Sequence, residues 1–174
     1  MRHSPLNAAL YELGKIQNME IKIDDLSGGE VFKLLEEHLA DMYATSPPES
    51  AHALDVHALK SPDITFFSGW IGNELQGCLA FKQLTPQHIE LKSMRTSSPS
   101  RKSGVATQLL AHALNVAIDR GYQKVSLETG THEFFQPAIN LYEKFGFTYC
   151  APFADYNLDP HSHFMTRDLV EKFV

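Results

Sequence analysis

A run near the middle of the chain has the composition of a phosphate-binding turn, and it reads Arg101, Lys102, Ser103, Gly104, Val105, Ala106. An apolar extended segment precedes the run and an amphipathic helix follows it. The first amides of a helix have no intrahelical partner and the helix dipole makes that end partly positive, so the main chain alone can hold a phosphate or pyrophosphate. Gly104 and Ala106 leave room for such a ligand. Arg101 and Lys102 supply cations that can reach its oxygens.

Two widespread nucleotide-binding motifs do not fit this run. The chain has neither the Walker pattern G-x-x-x-x-G-K-[ST] nor the dinucleotide pattern G-x-G-x-x-G. It has a strand, the pattern R-x-x-G-x-A, a helix and then Y-x-x-x-G-F at residues 142–147. In this order the two patterns resemble those of the GNAT family of N-acetyltransferases, here of bacterial type, whose R/Q-x-x-G-x-G/A loop binds the pyrophosphate of acetyl-CoA. The resemblance covers residues 19–169.

This resemblance implies acetyl-CoA as a co-substrate. In the family, the end of the strand before the loop pairs with pantetheine like an added strand, so the neighbouring parallel strand must diverge. The implied cofactor-binding residues are Met94, Arg95 and Thr96 on the strand, and Arg101, Lys102, Ser103, Gly104, Val105, Ala106 and Thr107 at the loop and helix start. The family often has an asparagine that touches the cofactor seven residues before the tyrosine, and this chain has Phe135 there. The turn at residues 129–131 is a candidate replacement.

Acyl transfer from a thioester to an amine needs a group that takes a proton from the amine. Amines are mostly protonated at neutral pH, so a carboxylate can take that proton directly or through water. Glu90 is the first candidate base, because the family often has a glutamate at about this place. It lies beside Lys92 and could equally be a polar residue of a half-buried strand. Glu128, at the end of the next strand, is the alternative base or an anchor for the substrate.

The departing thiolate needs a proton, and Tyr142 is the candidate acid by resemblance. The family tyrosine of Y-x-x-x-G-F lies near the thioester sulfur. Tyr142 also shares the apolar face of its helix, so core packing alone would explain it. Cys78 and Cys150 lie inside predicted strands, and we therefore do not expect an acetyl-cysteine route.

Hydrophobic periodicity predicts the elements that must position these residues. Strands are expected at residues 19–23, 64–71, 75–84, 88–96, 124–128, 147–150 and 164–169. Helices are expected after a capping box formed by Ser27 and Glu30, at residues 52–59, at 103–120 and from Pro137 to Gly146. The strands at 88–96 and 124–128 are joined by a helical crossover and should be parallel. We predict a three-layer α/β domain of the GNAT type, with about seven strands in a mostly antiparallel central sheet and one splayed parallel pair.

Length and composition narrow the class of protein. The 174 residues suit one domain, which we place at residues 19–174 after an N-terminal extension at residues 1–18. A net charge of -6 argues against nucleic-acid binding. Two cysteines imply no disulfide framework, and no apolar run is long enough for a signal peptide or a membrane span, so a cytoplasmic location is expected. The nine histidines lack zinc-site spacing, and no metal is expected.

The sequence therefore predicts an acetyl-CoA-dependent N-acetyltransferase that acts directly on a primary amine. The alternative is an acyl-CoA-binding regulatory module without turnover. The acceptor is open: a polyamine, an amino acid, an antibiotic or a peptide amine would each fit, in a groove built by residues 43–60 and 152–160. An acidic wall of Glu90, Glu128 and Asp155 would favour a cation. A homodimer is compatible with the sequence, which does not indicate an oligomeric state.

Overall fold

A seven-stranded sheet organises the chain, in a computed structural model that describes residues 19–51, 55–101 and 103–173. The strand order is β1-β2-β3-β4-β5-β7-β6. Every neighbouring pair is antiparallel except β4 and β5, which are parallel. The strands are β1 (Glu20–Ile23), β2 (Ile64–Ile71), β3 (Glu74–Thr85), β4 (His88–Thr96), β5 (Lys124–Gly130), β6 (Thr148–Tyr149) and β7 (Ser162–Asp168).

Helices cover both faces of this sheet, which confirms the predicted three layers. They are α1 (Gly29–Thr45), α2 (Val56–Leu59), α3 (Val105–Asp119) and α4 (Gln136–Lys144). Successive side chains of a strand point to opposite faces, and Phe66 and Phe67 of β2 show the result. Phe66 joins a cluster with α1 and α2, whereas Phe67 joins the larger core formed with α3 and α4. No helix in the described ranges has the length and apolar composition needed to cross a bilayer.

The parallel pair separates part of the way along its length. Residues 88–91 of β4 pair with residues 124–127 of β5, and the pairing ends at Leu91 and Leu127. Both strands continue, β4 to Thr96 and β5 to Gly130. The predicted splay is therefore confirmed, and it opens a gap within the sheet.

A bulge marks the point where β4 leaves its neighbour. Cys78 of β3 opposes Arg95, whereas Ala80 opposes Lys92, so two residues of β4 lie opposite one residue of β3. One of those two, Ser93, has a left-handed backbone with a φ of 55°. A bulge bends a strand and re-aims the side chains that follow it. The bend directs the end of β4 away from β5.

Several predicted boundaries are wrong. The capping box does not form: Gly28 is the N-cap of α1, and Ser27 instead hydrogen-bonds the Asp25 carboxylate through its amide and its hydroxyl. An aspartate two residues earlier competes for the serine, which a capping pattern does not reveal. Helix α3 begins at Val105 rather than at residue 103. The predicted extension at residues 1–18 and part of the predicted short helix, residues 52–54, lie outside the described residues.

A buried guanidinium joins α1 to β4. Arg95 is 8% exposed, and its Nη1 lies 2.6 Å from Oδ2 of Asp41, while its Nη2 lies 4.0 Å from Oε2 of Glu37. Losing one partner of a largely buried charge leaves the other charge poorly compensated. We expect Asp41→Asn to lower the free energy of unfolding by about 2 kcal/mol, measured as a lower urea midpoint at constant slope.

The matched control for this prediction is Glu37→Gln, which alters the more distant and more exposed partner of Arg95. An exposed pair at that distance contributes little, so a change below about 0.5 kcal/mol is expected. Equal losses of stability in the two variants would contradict the assignment of Asp41 as the main partner.

Candidate active site

A cavity occupies the gap between β4 and β5. Helix α1 lines it with His38 and Met42, and α4 lines it with Ala138 and Tyr142. Because α1 and α4 lie on opposite faces of the sheet, the cavity passes from one face to the other. Its remaining walls come from β4, β5, the turn before α4 and the loop between β6 and β7, through Glu90, Leu91, Lys92, Ser93, Met94, Glu128, Thr129, Phe135 and Tyr156. We call this space the inner cavity.

A second cavity of about 380 Å³ adjoins the first and is lined by β3, β4, Glu49 and the β6–β7 loop. That volume falls within the size range of small-molecule sites. It has its own lining, which includes Glu49, Lys82, Leu84, Asp155, Leu158 and Asp159, and we call it the outer cavity. Glu90, Lys92 and Tyr156 line both cavities and so form the partition between them.

Hydrogen bonds join the three residues of the partition to one another. Oε1 of Glu90 accepts from the Tyr156 hydroxyl at 2.5 Å and from the Lys92 ammonium at 3.1 Å, and the ammonium also donates to the Tyr156 oxygen at 3.2 Å. The side chains of Glu90 and Lys92 are only 5% and 9% exposed. Burial, followed by the charge of Glu90, raises the pKa of Tyr156, so the phenol stays a proton donor. Glu90, the first candidate base, is therefore already engaged.

Glu128, the second candidate base, lies at the inner cavity on β5. Burial raises the pKa of its carboxyl to about 7, because an apolar surrounding disfavours the charged form. The Ser162 hydroxyl and the Lys92 ammonium offset part of that increase, while the charges of Glu90 and Asp159 add to it. A carboxyl that ionises near neutral pH can both accept and release a proton under physiological conditions.

Tyr142 reaches the same cavity from α4. It is 7% exposed, its ring packs on Phe147, and its hydroxyl lies 4.0 Å from Sδ of Met94 on β4. Burial and then the charge of Glu128 raise the pKa of the phenol above its usual range, so it is protonated at neutral pH. Tyr142 thus packs in the core and also lines the cavity, a position that is compatible with both of the roles that the sequence left open.

The predicted anion-binding turn lies where the open end of β4 meets α3. Gly104 is the N-cap of α3 in a left-handed conformation, with a φ of 86°, which glycine adopts without strain. Ser103 donates a hydrogen bond to the Ser100 carbonyl, and Ser100 in turn donates to Gln76 on β3 at 2.5 Å. These contacts fix the turn to the sheet. Lys102 lies outside the described residues.

The other predicted cofactor-binding residues differ in exposure, and Thr96 and Ala106 are partly buried. The side chains of Arg95, Val105 and Thr107 are buried, so only their main chains could face a ligand in the gap. Arg101, in contrast, is exposed. The turn at residues 129–131 contributes Thr129 to the inner cavity, and Phe135 also lines it. In the described part of the chain, no group of three or more histidine, cysteine or acidic side chains could hold a metal ion.

Two residues of the site were absent from the sequence prediction. Tyr156 belongs to the loop at residues 152–160. The signal in the sequence was a second aromatic residue, Phe153, in the same loop, which suggests that the loop packs inward. In the structure the two ring centroids lie 5.2 Å apart. His38 lines the inner cavity, and burial together with the charge of Arg95 lowers its pKa to about 4, so its imidazole is neutral. No local pattern marked His38, because it follows the ordinary spacing of an amphipathic helix.

Comparison with known sequences gives close relatives. The chain is 55% identical to the uncharacterized N-acetyltransferase YsnE of Bacillus subtilis over 151 residues, which is 87% of this chain and 100% of that protein. It is 50% identical to the uncharacterized N-acetyltransferase YedL of Escherichia coli over 151 residues, which is 87% of this chain and 95% of that protein.

A solved structure and a family model agree with these relatives. The crystal structure of a Bacillus subtilis acetyltransferase in complex with CoA has a TM-score of 0.63 and 18% identity, and the match covers 88% of this chain and 100% of that one. The sequence model of the acetyltransferase (GNAT) family matches residues 31–147. The seven-stranded sheet with one splayed parallel pair is the fold that the resemblance implied. The chain therefore belongs to the GNAT family of acetyltransferases and is an acyltransferase.

Proposed function

We propose that the enzyme transfers an acetyl group from acetyl-CoA directly to a primary amine while both substrates are bound. One observation carries this proposal: the inner cavity brings a carboxyl that ionises near neutral pH, Glu128, and a protonated phenol, Tyr142, to the open edge of β4. A base for the amine and a proton donor for the sulfur are the two groups that this reaction needs.

The shape of the gap supports acetyl-CoA as the donor. Beyond Leu91 the edge of β4 facing β5 is free of strand pairing, so its main-chain groups can pair with pantetheine as an added strand would. At the end of that edge, the first amides of α3 and the left-handed Gly104 form a cradle for the diphosphate. The exposed Arg101 adds a cation beside it. The crystal structure of a Bacillus subtilis acetyltransferase with the same fold contains CoA, which supports CoA as the kind of ligand bound.

The proposed reaction assigns one task to each of the two groups. Glu128 takes a proton from the acceptor ammonium, and the free amine forms a C–N bond with the thioester carbon. The C–S bond breaks as the Tyr142 hydroxyl gives its proton to the departing sulfur, and the second proton that the nitrogen loses on becoming an amide returns to the Tyr142 oxygen. Cys78 is no alternative nucleophile, because it is buried and its pKa is raised to about 12. The pKa of Cys150 is also raised by burial, and neither thiol lines the two cavities.

Two observations support Glu128 over Glu90 as the base. The Glu90 carboxylate accepts hydrogen bonds from Lys92 and Tyr156, so taking up a proton would weaken both of them. Glu128 has a pKa that matches neutral conditions, and its charge acts on Tyr142 across the inner cavity. We therefore assign Glu90 to the partition between the cavities and Glu128 to proton transfer.

The direct test measures thiol release from acetyl-CoA with a panel of amines, alongside calorimetry of CoA binding. Amine-dependent thiol release is the expected result. Binding of CoA without release for any amine would instead indicate the alternative of a regulatory module without turnover. The absence of CoA binding would contradict both.

The variant Gly104→Val tests the diphosphate cradle. A β-branched residue is strained at a positive φ, and its side chain would stand at the mouth of the turn. We expect the Kd of CoA to rise at least about tenfold, since the main-chain donors would lose their alignment.

Gly121→Val is the matched control, because Gly121 follows the same helix, has a φ of 89° and has open space around its Cβ position. Both variants carry a similar backbone strain, so their stabilities should fall together. Only Gly104→Val should lose CoA affinity. Equal CoA binding by the two variants would argue against the cradle.

A further inference from the structure

Lys92 lies where the two cavities meet, and the hydrogen bonds described so far do not use all the N–H donors of its ammonium. Its side chain is 9% exposed and lines both the inner and the outer cavity. Burying an ammonium is costly unless it is paired and hydrogen-bonded. A lysine retained at this depth therefore needs acceptors for its protons.

The lysine has one proton more than the partition uses. An ammonium has three N–H donors, and Lys92 directs two of them to Oε1 of Glu90 and to the Tyr156 oxygen. Among the residues that the structure describes, no third acceptor lies within hydrogen-bond distance of Nζ. An oxygen of a molecule in either cavity is the remaining candidate partner.

We propose that Lys92 binds a carboxylate of the acceptor, and that the acceptor is therefore an α-amino acid or a close relative in which one carbon bears both amine and carboxylate. This inference rests on the proposed function, because it uses Glu128 as the partner of the amine. Lys92 and Glu128 line the same inner cavity, and the charge of Lys92 acts on the Glu128 carboxyl. An α-amino acid carries its amine and its carboxylate on one carbon, so its amine can face Glu128 while its carboxylate faces Lys92.

The charges of the partition favour such a zwitterion over a polyamine. Glu90 and Lys92 compensate each other, and an amino acid adds no net charge beside them. A second ammonium of a polyamine would instead meet the buried Lys92, and like charges repel strongly where solvent screening is weak. The attraction of a second ammonium to the carboxylates of the outer cavity is too weak to offset its repulsion by Lys92. Glu49 and Asp155 are exposed and screened, and Asp159 accepts hydrogen bonds from Ser50 and His161.

The side chain of such an acceptor has a place in the outer cavity. Leu84 and Leu158 contribute apolar surface there, beside the acidic residues at the rim. This mixed lining suits a side chain with an apolar stem. Lys82 also lines the outer cavity but does not reach the inner one, so it is not adjacent to the reacting amine.

The test compares matched acceptors that differ only at the carboxylate. Leucine, methionine, phenylalanine and lysine are each assayed beside their primary carboxamide and their decarboxylated amine, and each kcat/KM is corrected for the unprotonated fraction of the acceptor. We expect at least one amino acid to exceed its decarboxylated amine about tenfold or more, as is typical of a charge-assisted hydrogen bond. The carboxamide should also be the poorer acceptor.

Two variants identify Lys92 as the cause of that preference. The first variant, Glu90→Gln, removes the carboxylate of the partition. The second combines Glu90→Gln with Lys92→Met and removes both charges. Lys92→Met is not used alone, because it would leave the buried Glu90 carboxylate without its cation. The ratio of kcat/KM for acid and decarboxylated amine should fall towards one only in the double variant. A smaller folded fraction or a weaker base lowers kcat/KM for both acceptors alike, so these effects cancel in the ratio. Lys82→Met is the control and should keep the wild-type ratio.

Three outcomes would overturn the proposal. The wild-type enzyme could prefer the decarboxylated amines, it could act equally on acids and their carboxamides, or the double variant could retain the wild-type ratio. Each of these requires turnover, so each leaves the proposed function intact. Thiol release with other amines of the wider panel but with no member of this series would overturn the assignment of the acceptor alone. If CoA binds but neither the series nor the wider amine panel releases thiol, the proposed function itself fails, and the assignment of the acceptor fails with it.

Discussion

Glu128→Gln should lower kcat/KM for the amine by about 10²- to 10³-fold, the range expected when a general base is removed. The substitution keeps the shape of the side chain and removes its ability to accept a proton. In the wild-type enzyme kcat/KM should rise with pH through a value near 7, because the ionised carboxylate is the active form and burial raises its pKa to about 7. The variant should lose that inflection and keep only the ionisation of the amine itself.

Glu90→Gln is the comparison that separates the two glutamates. It removes the acceptor of the Lys92 and Tyr156 hydrogen bonds and should alter KM for the amine more than the pH profile. A profile that loses its inflection near neutral pH in Glu90→Gln and keeps it in Glu128→Gln would reverse the assignment. The inflection belongs to the free enzyme, so it should be read from kcat/KM rather than from kcat.

Tyr142→Phe should lower kcat by about 10²-fold with little change in the affinity for acetyl-CoA. The phenol is kept protonated by burial and by the charge of Glu128, and it already lies against a sulfur atom, Sδ of Met94. The phenylalanine ring preserves the packing on Phe147. Only the proton that faces the departing thiolate is lost.

The control for Tyr142→Phe is Tyr122→Phe, which removes an exposed hydroxyl that bonds Gln83 and lines neither cavity. Its kcat should not change. A Tyr142→Phe enzyme with wild-type kcat, under conditions where a burst experiment shows that chemistry limits the rate, would remove the tyrosine from the reaction. It would then remain a residue of the core.

Local pattern was enough to predict the positions of most strands. The alternation at residues 64–71 sends Phe66 and Phe67 to opposite faces as expected. The order β2-β3-β4-β5 at the centre of the sheet follows from two short hairpins and one helical crossover. The splay of β4 from β5 came instead from the resemblance, through the need to leave an edge for pantetheine. The structure adds a physical reason for it, since the bulge at Ser93 bends β4 where its pairing with β5 ends.

The environment of each candidate residue could not be predicted in the same way. Tyr156 and Glu90 are 66 positions apart in the sequence, and Arg95 and Asp41 are 54 apart. Contacts over such separations leave no periodic signal, yet they determine which carboxylate is engaged. The sequence placed Glu90 first as the base, by its resemblance to the family glutamate, and Glu128 on the next strand as the alternative. Burial and neighbouring charges, which depend on the whole fold, make one of them part of a partition and give the other a pKa near neutral.

The gap in the sheet also has a thermodynamic consequence. Main-chain donors and acceptors at the end of β4 have no neighbouring strand there, so the folded protein reaches its full complement of interstrand bonds only when another molecule fills that place. Any ligand that binds the native state and not the unfolded chain raises the melting temperature in proportion to the logarithm of its concentration. Acetyl-CoA would then be part of what keeps this protein folded in the cell, and enzyme lifetime would follow the acetyl-CoA supply.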